Sequence, residues 1–127
     1  MNHFFRTRCK AFQHAFSGLY YVLRKQRNAW IHMILTLLVL LAGFWLNISI
    51  QNWMILILTI GMVWTAEILN TSLEVTIDII SPDYHPLAKV GKDVGAAAVL
   101  IASISAIVVG LLVLGPPLID NIRLLFY

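Results

Sequence analysis

The sequence predicts an all-α membrane protein, with one amphipathic surface helix followed by three membrane-spanning helices. Three observations carry that prediction. The hydrophobic fraction is 60% and the charged fraction only 12%, outside the range of soluble globular domains. The apolar residues lie in runs long enough to cross a hydrocarbon core of about 30 Å, separated by short polar turns. Six of the nine Lys and Arg residues fall before residue 28, where they suit an anionic membrane surface. The chain is short enough to read as a single domain, 1–127. A net charge of +3 gathered at one end does not read as nucleic-acid binding.

The amino-terminal segment, 1–28, supplies the surface helix. Phe12, Phe16, Leu19 and Leu23 recur at helical spacing beside Arg6, Arg8, Lys10, Arg24 and Lys25. Its lone Cys9 is read as an ordinary surface thiol. The first span is 31–50. Its His32 reads as a hydrogen-bonded packing residue rather than a metal ligand. Asn47 to Asn52 is a polar turn without Lys or Arg, and the second span is 53–80. Ser81-Pro-Asp-Tyr-His-Pro86 is a loop bounded by prolines. The third span is 91–114, with Gly95, Ala96, Ala97, Ala98, Ala102 and Ala106 permitting close helix approach. Gly115-Pro-Pro117 is expected to stop it. The basic-residue asymmetry places the amino terminus and the 81–86 loop in the cytoplasm and the carboxyl terminus outside.

The second span ends in the stretch that organises the chain. Glu67, Asn70, Thr71, Glu74 and Asp78 fall on one stripe of a helix, at about 100° per residue. Ile68, Leu69, Leu73, Val75 and Ile79 occupy the other face. If Trp53 marks the far interface, Glu67 lies roughly 9 Å inside the hydrocarbon, with Glu74 and Asp78 at or beyond the near surface. An intramembrane carboxylate is costly and marks a functional site by default.

These groups suit phosphoryl transfer to a lipid hydroxyl. Glu67 is placed to accept the hydroxyl proton. Glu74, at the interface, suits Mg²⁺, which takes one or two carboxylates plus phosphate oxygens and water. Lys92, with Arg6 or Arg8, suits phosphate charge. No G-x-x-x-x-G-K-[ST] loop is present, so a kinase here is not of the P-loop type.

The pattern Glu67-x-x-Asn70-Thr71-x-x-Glu74-x-x-x-Asp78, with His85-Pro-Leu-Ala-Lys and Lys92-Asp93 followed by Ala96-Ala-Ala-Val-Leu, resembles the small prokaryotic diacylglycerol kinase and undecaprenol kinase family. The resemblance runs from about Lys10 to Gly110. It implies ATP as phosphoryl donor, Mg²⁺ as cofactor, and a homotrimer whose sites use residues of neighbouring subunits. It implies Glu67 as general base, Glu74 as metal ligand, and Asn70 and Asp78 as site support. Asp83, Tyr84, His85, Lys92, Asp93 and Glu74 match the nucleotide-binding positions. Three positions depart from the family pattern. Gln26 stands where the second metal-binding glutamate belongs, and His14 where a tyrosine can flank the nucleotide. The phosphate-binding arginine aligns near Thr7, leaving Arg6 or Arg8 to substitute.

The implied activity is phosphorylation of a membrane lipid at the cytoplasmic face of the plasma (inner) membrane. The His85-Pro-Leu-Ala-Lys form of the loop looks like the undecaprenol kinase branch. The alternative substrate is diacylglycerol, giving phosphatidic acid. A reading from another class is a non-catalytic subunit whose stripe only holds an oligomer together; Gln at Glu67 and Glu74 would be tolerated there. A proton or cation carrier ranks last, because Trp53 to Thr65 offers almost no polar residue.

Overall fold

The computed structural model describes the backbone of residues 2–126 and the side chains of residues 7–124. It contains four helices: α1 (Asn2–Lys25), α2 (Arg27–Trp45), α3 (Ile50–Ile80) and α4 (Pro86–Phe126). No strand occurs among the described residues. Helices α2, α3 and α4 are long and apolar enough to cross a membrane. The protein is an all-α membrane protein, as the composition predicts.

The elements begin and end for local reasons. A single residue, Gln26, separates α1 from α2, in extended conformation with φ −99° and ψ 119°. Its side chain does not cap α2, so it is free to reach elsewhere. The turn after α2 takes Asn47 through the left-handed region at φ 48°, which Asn tolerates better than most residues. Ser49 then caps α3 by accepting the Asn52 N–H at 3.3 Å. Pro86 opens α4, where a missing N–H costs nothing. His85 precedes it and accepts the Leu87 N–H on Nδ1. Inside the spans six hydroxyls are satisfied by their own helix. Thr59, Thr65, Thr71, Thr76, Ser103 and Ser105 each donate to the carbonyl four residues back.

The helices extend beyond the expected spans, starting at Arg27, Ile50 and Pro86 where the apolar runs start at 31, 53 and 91. Polar first turns carry each helix past the apolar stretch. One expectation is corrected: the Gly115-Pro-Pro117 segment fails to stop α4, which runs on through both prolines. Pro116 and Pro117 leave only the carbonyls of Leu112 and Val113 without helical donors, a loss that spanning helices accommodate.

Helix α3 packs chiefly against α4 and less against α2. At one end, Leu46, Ile48, Leu56 and Val113 form a buried cluster flanked by Trp53. The Trp53 ring tilts against Phe44, with centroids 4.8 Å apart, in a space left open at Gly43. Elsewhere the outward faces are apolar: Leu58, Ile79, Leu111 and Leu112 are among the exposed large side chains. Such a surface fits lipid rather than water. Phe12 and Phe16 of α1 are likewise exposed, as a helix lying in the interface requires. Of the small residues on α4, Gly95 faces α3 and Ala102 is buried, whereas Ala96 and Ala97 point outward.

At 1.5 Å per residue, the 31 residues of α3 span about 46 Å, more than the hydrocarbon thickness. Its polar end therefore stands clear of the apolar layer. This sets a topology test. In a Cys9→Ser background, Asn47→Cys and Asp83→Cys should react with an impermeant thiol reagent from opposite sides of sealed vesicles. Reaction of both from the same side would contradict a single crossing by α3.

Candidate active site

The polar stripe of α3 grades from buried to exposed. Glu67, Asn70 and Thr71 are buried, Glu74 is half-buried and Asp78 is exposed. Glu67 is the most enclosed charged side chain described, at 1% exposure. It faces His32 of α2 and lies on the inward side of α3, away from the exposed Ile68, Leu69 and Ile79.

Glu74 sits in a cradle of amides. Gln26 Nε2 donates to its Oε2 at 2.8 Å, and Asn70 Nδ2 donates to its Oε1 at 3.0 Å. Both carboxylate oxygens are therefore held by neutral donors, one from the α1–α2 break and one from the preceding turn of α3. The extended conformation of Gln26 explains how a residue between two helices reaches a third. Two further contacts extend the pairing. His32 Nε2 lies 3.8 Å from Glu67 Oε2, and Trp64 Nε1 donates to Thr36 Oγ1 at 3.1 Å. Partners on α3 run from Glu74 to Glu67 to Trp64 as those on α2 run from Gln26 to His32 to Thr36, the register of two antiparallel helices.

Asn70 is fixed from its other side by α4. A Cβ at Gly95 would lie 2.5 Å from Asn70 Oδ1. Glycine at 95 is what lets α4 approach closely enough to hold this amide toward Glu74. Gly95→Ala should expel Asn70 from its place. We expect a stability loss of about 1–3 kcal/mol, read by thermal unfolding in detergent, with a fall in activity. Unchanged unfolding and activity would show that the approach is not needed.

The loop residues gather at the mouth. Asp83, Tyr84 and His85 line a cleft of about 260 Å³ with Asp78, Lys89 and Lys92. Lys92 pairs with Asp78 across α3 and α4. Both groups are partly exposed, and such pairs are worth about 0–1 kcal/mol, so Lys92 can leave this partner at little cost. Asp93 points along α4 to Lys89, one turn away. Among the expected residues, Gln26, Asn70 and Glu74 meet directly, and Asp78, Asp83, Tyr84, His85 and Lys92 share the cleft. His14 and Arg8 lie exposed on α1. The side chain of Arg6 lies outside the described residues. No cluster of three metal-ligating His, Cys, Asp or Glu side chains occurs among the described residues. Beside Asn70 opens an apolar groove of about 540 Å³ between α3 and α4. It is lined by Met62, Thr65, Ala66, Leu69, Leu73, Val94, Gly95 and Ala98.

The pairing of His32 with Glu67 was not legible in the sequence. It depends on which faces of α2 and α3 meet. The one available signal is that His32 and Thr36 lie one turn apart on α2, as Glu67 and Trp64 do on α3.

Three candidate spans hold a buried polar stripe, with an apolar groove beside Asn70 and a polar cleft at the helix ends, an arrangement that suits a membrane protein acting on an apolar molecule with one polar end. A family model described as prokaryotic diacylglycerol kinase matches residues 13–114. The chain is 40% identical over 118 residues to undecaprenol kinase of Bacillus subtilis, covering 93% of each protein. It is 39% identical to diacylglycerol kinase of Synechocystis, over 87% of this chain and 63% of that protein. It is 36% identical to diacylglycerol kinase of Escherichia coli, over 65% of this chain and 73% of that protein. The chain belongs to the prokaryotic diacylglycerol kinase family and is a lipid kinase.

Proposed function

We propose that the protein phosphorylates undecaprenol, or a closely similar polyprenol, from ATP at the membrane surface. The carrying observation is the 40% identity to the Bacillus subtilis undecaprenol kinase across nearly the whole of both chains. The groove adds a physical reason. Its only polar side chains are Thr65 and Asn70, whose hydroxyl and amide N–H already donate to the Gly61 carbonyl and to Glu74. A polyprenol presents one hydroxyl on a pure hydrocarbon and asks for nothing more. Diacylglycerol brings two ester groups that such a groove leaves without partners.

In this reading Glu67 accepts the proton of the lipid hydroxyl as its oxygen attacks the γ-phosphorus. Asn70 holds Glu74 in place. Lys92 turns from Asp78 to the phosphates, and Asp83, Tyr84 and His85 bound the nucleotide cleft. The donor set fits Mg²⁺ in a spare form: one carboxylate, Glu74, with the amide oxygens of Gln26 and Asn70 available by amide rotation. Asn70 Oδ1 is buried without a hydrogen-bond partner, as an acceptor waiting for a ligand would be. Bound there with the nucleotide, Mg²⁺ would neutralise phosphate charge. A homotrimer belongs to the same reading. Packing within one chain already buries Glu67, so the support for assembly rests on the outward Ala96 and Ala97, which invite another helix to approach.

The test uses purified protein in mild detergent with ATP and Mg²⁺. Undecaprenol should be phosphorylated with kcat/KM at least about tenfold above diacylglycerol, and the active species should have the mass of three chains. Preference for diacylglycerol would overturn the substrate. A fully active monomer would overturn the assembly.

A further inference from the structure

We infer that His32 is a positioning residue for the reaction, holding the Glu67 carboxylate in its proton-accepting orientation. The inference rests on Glu67 as the base and deepens that reading. Glu67 Oε2 is buried and has no hydrogen-bond partner within the chain. The nearest polar atom facing it from α2 is His32 Nε2, at 3.8 Å, in ion-pair range and beyond hydrogen-bond length. A small rotation of either side chain closes that gap. His32 is itself nearly buried, with its side chain 11% exposed, so the imidazole is aimed at the carboxylate rather than into water.

The surroundings leave His32 as the sole candidate for this task. The charged or chargeable groups that act on Glu67 are His32 across the interface and Glu74 two turns along the same helix. Where α4 meets this part of α3 it presents Gly95 and Ala98 beside Asn70. The charged residues of α4 lie toward its two ends, with Lys92 on Asp78 and Lys89 on Asp93 near the start and Asp120 and Arg123 near the finish. From α1, Val22 is the buried side chain, and it is apolar. Thr71 bonds the Glu67 backbone carbonyl, not its carboxylate.

The register also explains why the contact is maintained. Gln26–Glu74 pins α2 to α3 below His32, and Thr36–Trp64 pins it one turn above. Between two fixed hydrogen bonds His32 has no freedom to turn outward. A residue whose only task was to fill space here would be apolar, because an unpaired imidazole in a spanning helix is costly. With a hydrogen on Nε2, His32 donates to Glu67 Oε2 and leaves Oε1 to meet the lipid hydroxyl. Which ring nitrogen carries the hydrogen follows from that contact.

The experiment measures lipid phosphorylation by the full chain in detergent, with the unaltered protein and Glu67→Gln assayed beside it. An inactive parent, or an active Glu67→Gln, would sink the base reading itself and is recognised before any His32 variant is scored. With the parent active, His32→Phe should lower kcat at least about tenfold while the nucleotide KM stays within about twofold. His32→Gln should recover part of the loss, because its amide reaches and donates where phenyl cannot. In the Glu67→Gln background His32→Phe should cause no further drop, since a residue acting through another loses its effect when that one is gone. Parent-like kcat in His32→Phe, or a full additional loss in the double variant, overturns the inference. Should His32→Phe fail to fold, His32→Gln against His32→Asn decides. Asparagine is one methylene shorter, so equal rates in those two would also overturn it.

Discussion

Glu67→Gln lowers lipid phosphorylation by about 10² to 10⁴ while leaving nucleotide binding intact. The substitution keeps shape, and it keeps an oxygen for His32. What it removes is the proton acceptor. The structure separates this effect from the others, because Glu67 and the cleft proposed for the nucleotide are different places. Glu67 is buried within α3 facing His32, whereas Asp83, Tyr84 and His85 line a cleft at the end of that helix. The measurements are initial rates with undecaprenol and a nucleotide titration on the same preparation. Near-normal turnover would remove Glu67 from the role and revive the reading in which the stripe serves only assembly. Loss of nucleotide binding with turnover would instead report a collapsed site.

The prediction is selective because of how the stripe is built. Its spacing alone announces that five polar residues share a helical face, and the structure adds the gradient from Glu67 at 1% exposure to a solvent-facing Asp78. Counting residues gives the order of these groups along the helix, whereas their burial depends on which helices pack beside each one. Pairings between helices were not legible in the sequence. Gln26 was recognisable only as a departure from a family position. That it lies in a one-residue break and bonds Glu74 depends on how α1 turns into α2, which no periodicity encodes. His32 read as a packing residue because its partner is 35 positions away on another helix. His85 offers the reverse case. Its place beside a proline suggested a loop, the family resemblance alone implied nucleotide binding there, and the structure gives it the first turn of α4 to cap. The run through Pro116 and Pro117 was misread for a plain reason. Proline is a stop signal in water, where a freed carbonyl and a bent helix have alternatives, and a weak one in a spanning helix held by its neighbours.

The same geometry makes the carboxylate at position 74 and the amide at 26 a testable pair. Glu74→Gln should weaken Mg²⁺-nucleotide binding and turnover together, with high Mg²⁺ restoring part of the activity. Three amides would then face one another, able to hydrogen-bond but bringing no charge to a cation. Gln26→Glu is the opposite change. The Gln26–Glu74 hydrogen bond at 2.8 Å would be replaced by two carboxylates in the same space, which repel unless a cation or a proton lies between them. Without Mg²⁺ the variant should therefore unfold at a lower temperature than the parent. With Mg²⁺ it should gain more than the parent does, because binding to the folded state alone stabilises by mass action. Turnover should then saturate at a lower Mg²⁺ concentration. The sign of the Mg²⁺ effect on unfolding is the informative quantity, since it is read without lipid or nucleotide. If Gln26→Glu unfolds like the parent with and without Mg²⁺, positions 26 and 74 do not form a cation site. If Glu74→Gln also keeps the parent's Mg²⁺ dependence, the metal must be carried by the nucleotide alone, and the amide cradle serves only to hold α1, α2 and α3 together.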